Sequence, residues 1–285
     1  MQFSGKIFVS LAIILALMVG GNIYADTLSD EARLDPALIK GPVETVTEVL
    51  AGDLLKLQDG RTVKILGIDI PNSYAAQAKK YVGEFSGLDH SPSAQVQIFY
   101  GTAKQDRYGR ILAYPFTMDG LSYAHAIVQQ GHARALSAPD NRVIAAELMA
   151  LDRDARGYGN GLWALPEFKV LTPEQVLDKK YWDQVQVVEG KVLYTAEVKK
   201  TIYLDFDIDW KKDFTAVIPP TARALFTAAK IKPKDLEGIR VRVRGFVENK
   251  NGPSITLTHP ELLEILEPAP TAKPVKGKRT RQKKT

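Results

Sequence analysis

Residues 64–72 read KILGIDIPN, and the reading of this stretch decides the fold. A short apolar run ends at a single carboxylate, Asp69, and Pro71 follows at once. A strand that stops at a turn presents one acid in this way. Just upstream, LLKLQ (54–58) and RTVKILGI (61–68) flank Asp59-Gly60, a dipeptide that favours a tight hairpin. The spacing predicts two antiparallel strands, with Asp53 near the start of one and Asp69 near the end of the other. Such a hairpin can bring the two carboxylates close.

Working outward, SYAAQAKKYVGEFSG (73–87) carries apolar residues at helical spacing and stops at Gly87. AQVQIFYG (94–101) and RILAYPFTMDG (110–120) read as strands, the second closed by Asp119-Gly120. LSYAHAIVQQG (121–131) reads as a short helix and NRVIAAELMALDRDARG (141–157) as a longer amphipathic one, with Ile144, Leu148 and Leu151 on one side. NGLW (160–163) closes this unit. Short strands with early hairpins, followed by helices, predict a small barrel with packed helices. After a connection over 164–181, further short strands predict a second small β-barrel over 182–267, with a helical insert near residues 222–230. The fold class is therefore mainly β with packed helices (α+β).

The 285 residues suffice for two such domains, and 45% hydrophobic with 25% charged residues is a globular composition. The net charge of +5 is a property of the C-terminal tail. Residues 268–285 hold seven basic residues and no acid, which leaves 31 basic against 33 acidic elsewhere. That tail is too polar to order itself. It would contact polyanions: nucleic acid, anionic lipid or wall polymer. The absence of cysteine excludes disulfides, thiolate metal sites and a cysteine nucleophile. At the other end, Lys6, an uncharged stretch over 7–25 and small residues before Asp26 form the pattern of a secretory signal, with cleavage after Ala25. An uncleaved anchor is the alternative, since the stretch is near the roughly 20 residues needed to span. Either way the body is expected outside the cytoplasm, periplasmic or secreted. A polar lead-in is read over 26–42 and the first domain over 43–163.

Three patches of the first domain could carry chemistry: Asp53 in GDLLKL, Asp69 in the opening stretch, and Arg107, Tyr108 and Arg110 in KQDRYGRILAY. Two carboxylates with a carbonyl and waters suit a hard cation, and a neighbouring Arg suits phosphoryl charge. Their order, together with GLSYAHAIVQQGHARA (120–135) and the closing GLW, resembles the thermonuclease (staphylococcal nuclease-like) family over 43–163. The resemblance implies an oligonucleotide-binding (OB) barrel with three helices, and a Ca²⁺ ion held by Asp53, Asp69 and the carbonyl of Ile70. It implies that Arg110 is one phosphate clamp. The family's second clamping arginine falls on Lys64, and its water-activating acid on Asn72. Ala51 stands where an aspartate is usual, and ALSAPDN (135–141) lacks the family's tyrosines.

Lys keeps a charge at position 64 but loses the planar fork that binds phosphate through two bonds. Asn at 72 cannot accept a proton at neutral pH, though it can orient a water. General-base help is worth about 10²–10⁴ in rate, so the site reads as depleted. Whether the chain is an enzyme stays open. If it is, it is a Ca²⁺-dependent phosphodiesterase, a nuclease. The other readings are a non-catalytic or very weakly catalytic nucleic-acid- or ligand-binding protein, and an envelope module that binds protein or glycan. The second unit resembles the OB-type barrels that follow thermonuclease-like domains. There Arg240, Arg242 and Arg244 alternate along one strand face, and with Tyr203, Phe206 and Trp210 in the same unit they form either a nucleic-acid surface or a solvated sheet face beside core aromatics. DFDIDWKKDFTA (205–216) fails as a calcium loop, because Trp210 and Ala216 stand where Gly and Glu are needed. The four histidines show no ligand spacing, and no G-x-S-x-G elbow is present.

Overall fold

The computed structural model describes residues 37–209, 213–250 and 252–266. The expected signal over 1–25, most of the lead-in, Trp210 and the basic tail lie outside the described residues. The chain divides into two units, Met1–Lys169 and Val170–Thr285. The division falls inside the connection expected over 164–181. Phe168, Leu171 and Val176 of that connection are buried, so it packs as part of the units it joins.

In the first unit, β1 (Ile39–Ala51), β2 (Leu54–Leu57), β3 (Thr62–Ile65), β5 (Ala94–Tyr100) and β6 (Ile111–Thr117) close a barrel in the order β1-β2-β3-β6-β5. β1 is long because it serves two neighbours: its first half pairs with β5 and its second with β2. It begins four residues ahead of the expected boundary at 43. Pro42, which cannot donate to a ladder, sits where the β1·β5 register shifts between Lys40 and Val43. Every pairing is antiparallel except β3·β6. Alternation sends Leu55, Leu57, Val63, Ile65, Val96, Ile98 and Ala113 into the barrel, each essentially without exposure. Two short strands, β4 (Ile68–Asp69) and β7 (Arg134–Ala135), pair outside the barrel.

The helices are α1 (Ala75–Ser86), α2 (Tyr123–Gln129) and α3 (Ala145–Tyr158). α1 ends at Gly87, in the left-handed region that glycine adopts without strain. The Oγ of Ser122 caps α2 by accepting from the His125 N–H at 3.3 Å. His125 is buried between α2 and α3, with Nε2 3.0 Å from Glu147. Ile144 and Leu148 are buried, as their spacing implied.

The second unit contains β8 (Val185–Lys191), β9 (Tyr194–Val198), β10 (Thr201–Asp205), β11 (Thr215–Ile218), α4 (Arg223–Ala228), β12 (Arg240–Asn249), β13 (Pro253–Thr256) and β14 (Leu263–Ile265). Its pairings run β9·β10, β10·β11, β11·β13, β13·β12 and β12·β8, and β11·β13 alone is parallel. β8 and β9 follow each other directly in the chain. Between them the Val192 N–H donates to the Ile239 carbonyl at 2.9 Å, and the Leu193 N–H to the Asp205 carbonyl at 2.8 Å. The chain therefore joins the two ends of the sheet, and one long bent segment plays the part of β1. The second unit, with β14 added beside β12, follows the pairing order of the first, and its parallel pair β11·β13 corresponds to β3·β6 of the closed barrel. This is the OB topology. Of the two readings of its aromatics, Phe206 follows the core one: it is buried against Phe214, just past β10 on the inward side.

Candidate functional site

The two-residue turn Gly52-Asp53 links β1 to β2, with Ala51 opposite Leu54. It is pressed against α1: a Cβ on Gly52 would lie 2.7 Å from the Ala78 Cβ and 2.8 Å from Ile70 Cδ1. Only glycine fits there, and Ile70 packs on it. Lys64 lies opposite Leu54 in β3, and the neighbouring Ile65 N–H donates to the Asp53 carbonyl at 2.8 Å. The backbone thus sets Lys64 beside Asp53, and its Nζ donates to Asp53 Oδ2. Both side chains are largely covered, Lys64 at 30% exposure.

Asp69 is placed differently. Gly67, with φ +83°, turns the chain out of β3, and β4 then pairs with β7 so that Asp69 faces Arg134. Arg134 Nε and Nη2 both lie 3.1 Å from Asp69 Oδ2. Arg134 is 3% exposed. Burial pushes the Asp69 carboxyl above its ordinary range, and Arg134 offsets part of that rise. Asp53 also pushes it up and Lys64 pulls it down. The site is a balanced cluster of two acids and two bases.

Arg110 belongs to the loop ahead of β6. Asp106 Oδ1 accepts from the N–H of Tyr108 at 2.9 Å and of Arg110 at 3.0 Å, and Oδ2 accepts from Arg110 Nε at 2.6 Å. Burial opposes the charge on Asp106, but these bonds hold its carboxyl below the usual range. Tyr108 is 67% exposed, and the guanidiniums of Arg107 and Arg110 lie 4.9 and 5.2 Å from its ring centre. Asn72 opens a 3₁₀ turn (Asn72–Tyr74) and is exposed.

Residues 62–165 match the family model of the staphylococcal nuclease homologue. This chain carries a thermonuclease-like domain. No curated protein matches the chain. The matched span takes in Lys64, Asp69, Ile70, Asn72, Arg107, Tyr108, Arg110 and Arg134, while Asp53 lies ahead of it.

Thermonucleases depend on Ca²⁺ in general. Calcium takes six to eight oxygens at about 2.3–2.6 Å. In this thermonuclease-like domain one carboxylate accepts from an ammonium and the other from a guanidinium. Each of the two carboxylates the family would offer the ion already faces a basic side chain, Lys64 at Asp53 and Arg134 at Asp69. The donors present do not fit a calcium ion.

The thermonuclease-like domain also contains two functional-site residues that the sequence reading missed. Arg134 could have been flagged as a lone charge between Ala133 and Ala135, both buried. Asp106, directly before RYGR, is a turn residue whose spacing to Arg110 permits a local pair.

In the second unit, Arg242 of β12 stands opposite Glu189 of β8 and Glu264 of β14. It donates to Glu189 through Nε at 3.0 Å and Nη2 at 2.6 Å, and to Glu264 through Nη1 at 2.8 Å. Arg240 pairs with Glu189 at 2.5 Å and is exposed, whereas Arg244 is 3% exposed and lies 3.7 Å from Glu264. The three arginines share one face, and neighbouring strands answer much of their charge. A second basic feature caps the β9–β10 hairpin. Lys199 and Lys200 form its two-residue turn with φ +49° and +69°, a conformation that normally selects Asn and Gly.

Proposed function

We propose that this chain is an exported nucleic-acid-binding protein whose thermonuclease-like domain hydrolyses phosphodiesters very weakly or not at all. The observation that carries this reading is Asn72. An exposed amide stands where the family keeps its acid, so the attacking water has no base there. Two further features support it. Lys64 is turned onto Asp53, away from a phosphate-clamping role. Arg107, Tyr108 and Arg110 keep an exposed ring with two guanidiniums close to it, a platform for a base and its phosphate. Export is inferred from the pattern of residues 1–25. The basic tail adds non-specific attraction to polyanions, whether nucleic acid, anionic lipid or wall polymer.

The test incubates the purified chain with labelled single-stranded DNA and RNA, with Ca²⁺ and with chelator, and follows both cleavage and fluorescence anisotropy. Binding that weakens with salt and no cleavage are expected. Tyr108→Ala should weaken binding by about 1–3 kcal/mol, the worth of one base–aromatic stack. Cleavage that needs Ca²⁺ and disappears in Asp53→Ala would sink the reading in favour of an active nuclease. Binding that vanishes with the tail alone would favour an envelope module.

A further inference from the structure

We propose that Lys64 is a resident cation: its ammonium occupies the place on Asp53 that a divalent ion would need, and its removal frees Asp53 to take a divalent ion from solution. This inference rests on reading Asp53 and Asp69 as the thermonuclease-like site, and is independent of which ligand that site takes.

The pairing is built into the sheet. The β2·β3 register places Lys64 against the β1–β2 turn, and the bond from the Ile65 N–H to the Asp53 carbonyl fixes the turn on the residue next to Lys64. A lysine on a free surface wanders among many rotamers. This one has a partner on its own hairpin, and both side chains are mostly covered. Asp69 is held independently by Arg134, which approaches from β7. The two carboxylates are thus positioned from two directions, Asp53 by β3 and Asp69 by β7.

Charge then decides occupancy. With Lys64 and Arg134 present the four groups sum to zero, and an arriving cation must displace an ammonium already hydrogen-bonded to Asp53. Without Lys64 the cluster carries a net negative charge. The Asp53 carboxylate is then left without its partner, and that cost is relieved by a cation from solution. Lys64 therefore has a second consequence beyond the loss of the planar fork: it makes the site independent of metal.

The test is isothermal titration calorimetry of Ca²⁺ alone into the purified chain, with thermal denaturation at matched Ca²⁺. Wild type is expected to show no Ca²⁺ heat that depends on Asp53. Lys64→Met should bind Ca²⁺ at least tenfold more tightly than wild type and should be stabilised by it, and adding Asp53→Asn should abolish both effects. Lys64→Gln, which also removes the charge but keeps a polar side chain, should behave like Lys64→Met and serves if the latter does not fold. Wild-type Ca²⁺ binding that is lost in Asp53→Asn would overturn the proposal. So would folded Lys64→Met and Lys64→Gln proteins without gained affinity. No nucleic acid is present in these titrations, so they stand or fall separately from the proposed function.

Discussion

Arg134→Met removes one partner of the most deeply placed ion pair described in the site. Arg134 is 3% exposed and Asp69 only 20% exposed, so the variant leaves a covered carboxylate without its cation. Breaking a buried pair from one side costs about 3–5 kcal/mol. At about 2–4 °C per kcal/mol, the melting temperature should fall by roughly 6–20 °C. The cost should depend on pH. Burial already raises the folded Asp69 carboxyl above its unfolded value, and loss of Arg134 raises it further. A carboxyl with a raised folded pKa binds more protons when folded, so its stabilising contribution is present at low pH and is lost as pH rises through the folded value. The deficit of Arg134→Met should therefore be small near about pH 4 and grow by up to about 1.4 kcal/mol per pH unit until the folded carboxyl has ionised. Urea denaturation followed by tryptophan emission, at about pH 4.5 and about pH 7.5, measures both values. Arg134→Met with Asp69→Asn, which removes both charges, should recover most of the loss. A neutral-pH deficit under about 1 kcal/mol, equal deficits at the two pH values, or a double variant no better than the single would refute the reasoning.

Other consequences are equally accessible. Asp213 is buried, and burial pushes its carboxyl up to about 6 despite bonds from the N–H groups of Phe206 and Asp207. Its contribution is lost as pH rises through that value, so Asp213→Asn, which keeps an acceptor, should gain up to about 3 kcal/mol on wild type between about pH 4 and pH 7. A flat difference in urea midpoints across that range would contradict this. Gly131 has φ +70° and packs against the Asn160 backbone, so Gly131→Ala should cost at least about 2 kcal/mol by thermal denaturation. Replacing the hairpin turn with Lys199→Asn and Lys200→Gly should raise stability by about 1 kcal/mol, since both lysines sit in the left-handed region. The same double substitution should lower affinity for polyanions if the strained turn is kept for its charge, and a melt with no rise counts against the strain.

KILGIDIPN made the turn readable from local chemistry, while the metal position of Asp69 and the substituted status of Lys64 and Asn72 came from the family resemblance that the stretch carries. Hairpins were legible for the same reason, since Asp59-Gly60 and the alternation around it act within a few residues. The partners of the charges were not. Arg134 lies 65 residues from Asp69, and they meet only because two two-residue strands pair, too short to leave a periodicity. Alternation correctly placed Arg240, Arg242 and Arg244 on one face. Which residues answer them depends on the register with β8 and β14, and that register brings Glu189 and Glu264 opposite. Lys64 is the subtler case. Its charge and the missing fork could be read, but only the geometry shows that the charge is directed at Asp53. Phe206 stayed open between surface and core because an aromatic at the end of a strand looks the same whether it faces in or out.

In the first unit the barrel is closed by one early segment, β1, that pairs with β2 and with β5. During synthesis β1 emerges first, yet its partner β5 runs from Ala94 to Tyr100, so one edge of β1 stays unsatisfied while some fifty residues are added. The second unit repeats this delay, with β8 waiting for β12. Folding of each unit is thus gated by a late, non-local step, and during that interval the open edge is available to other chains. Lys40 and Glu44, in the part of β1 that waits for β5, set charge there, where a wholly apolar strand would invite a neighbour to pair.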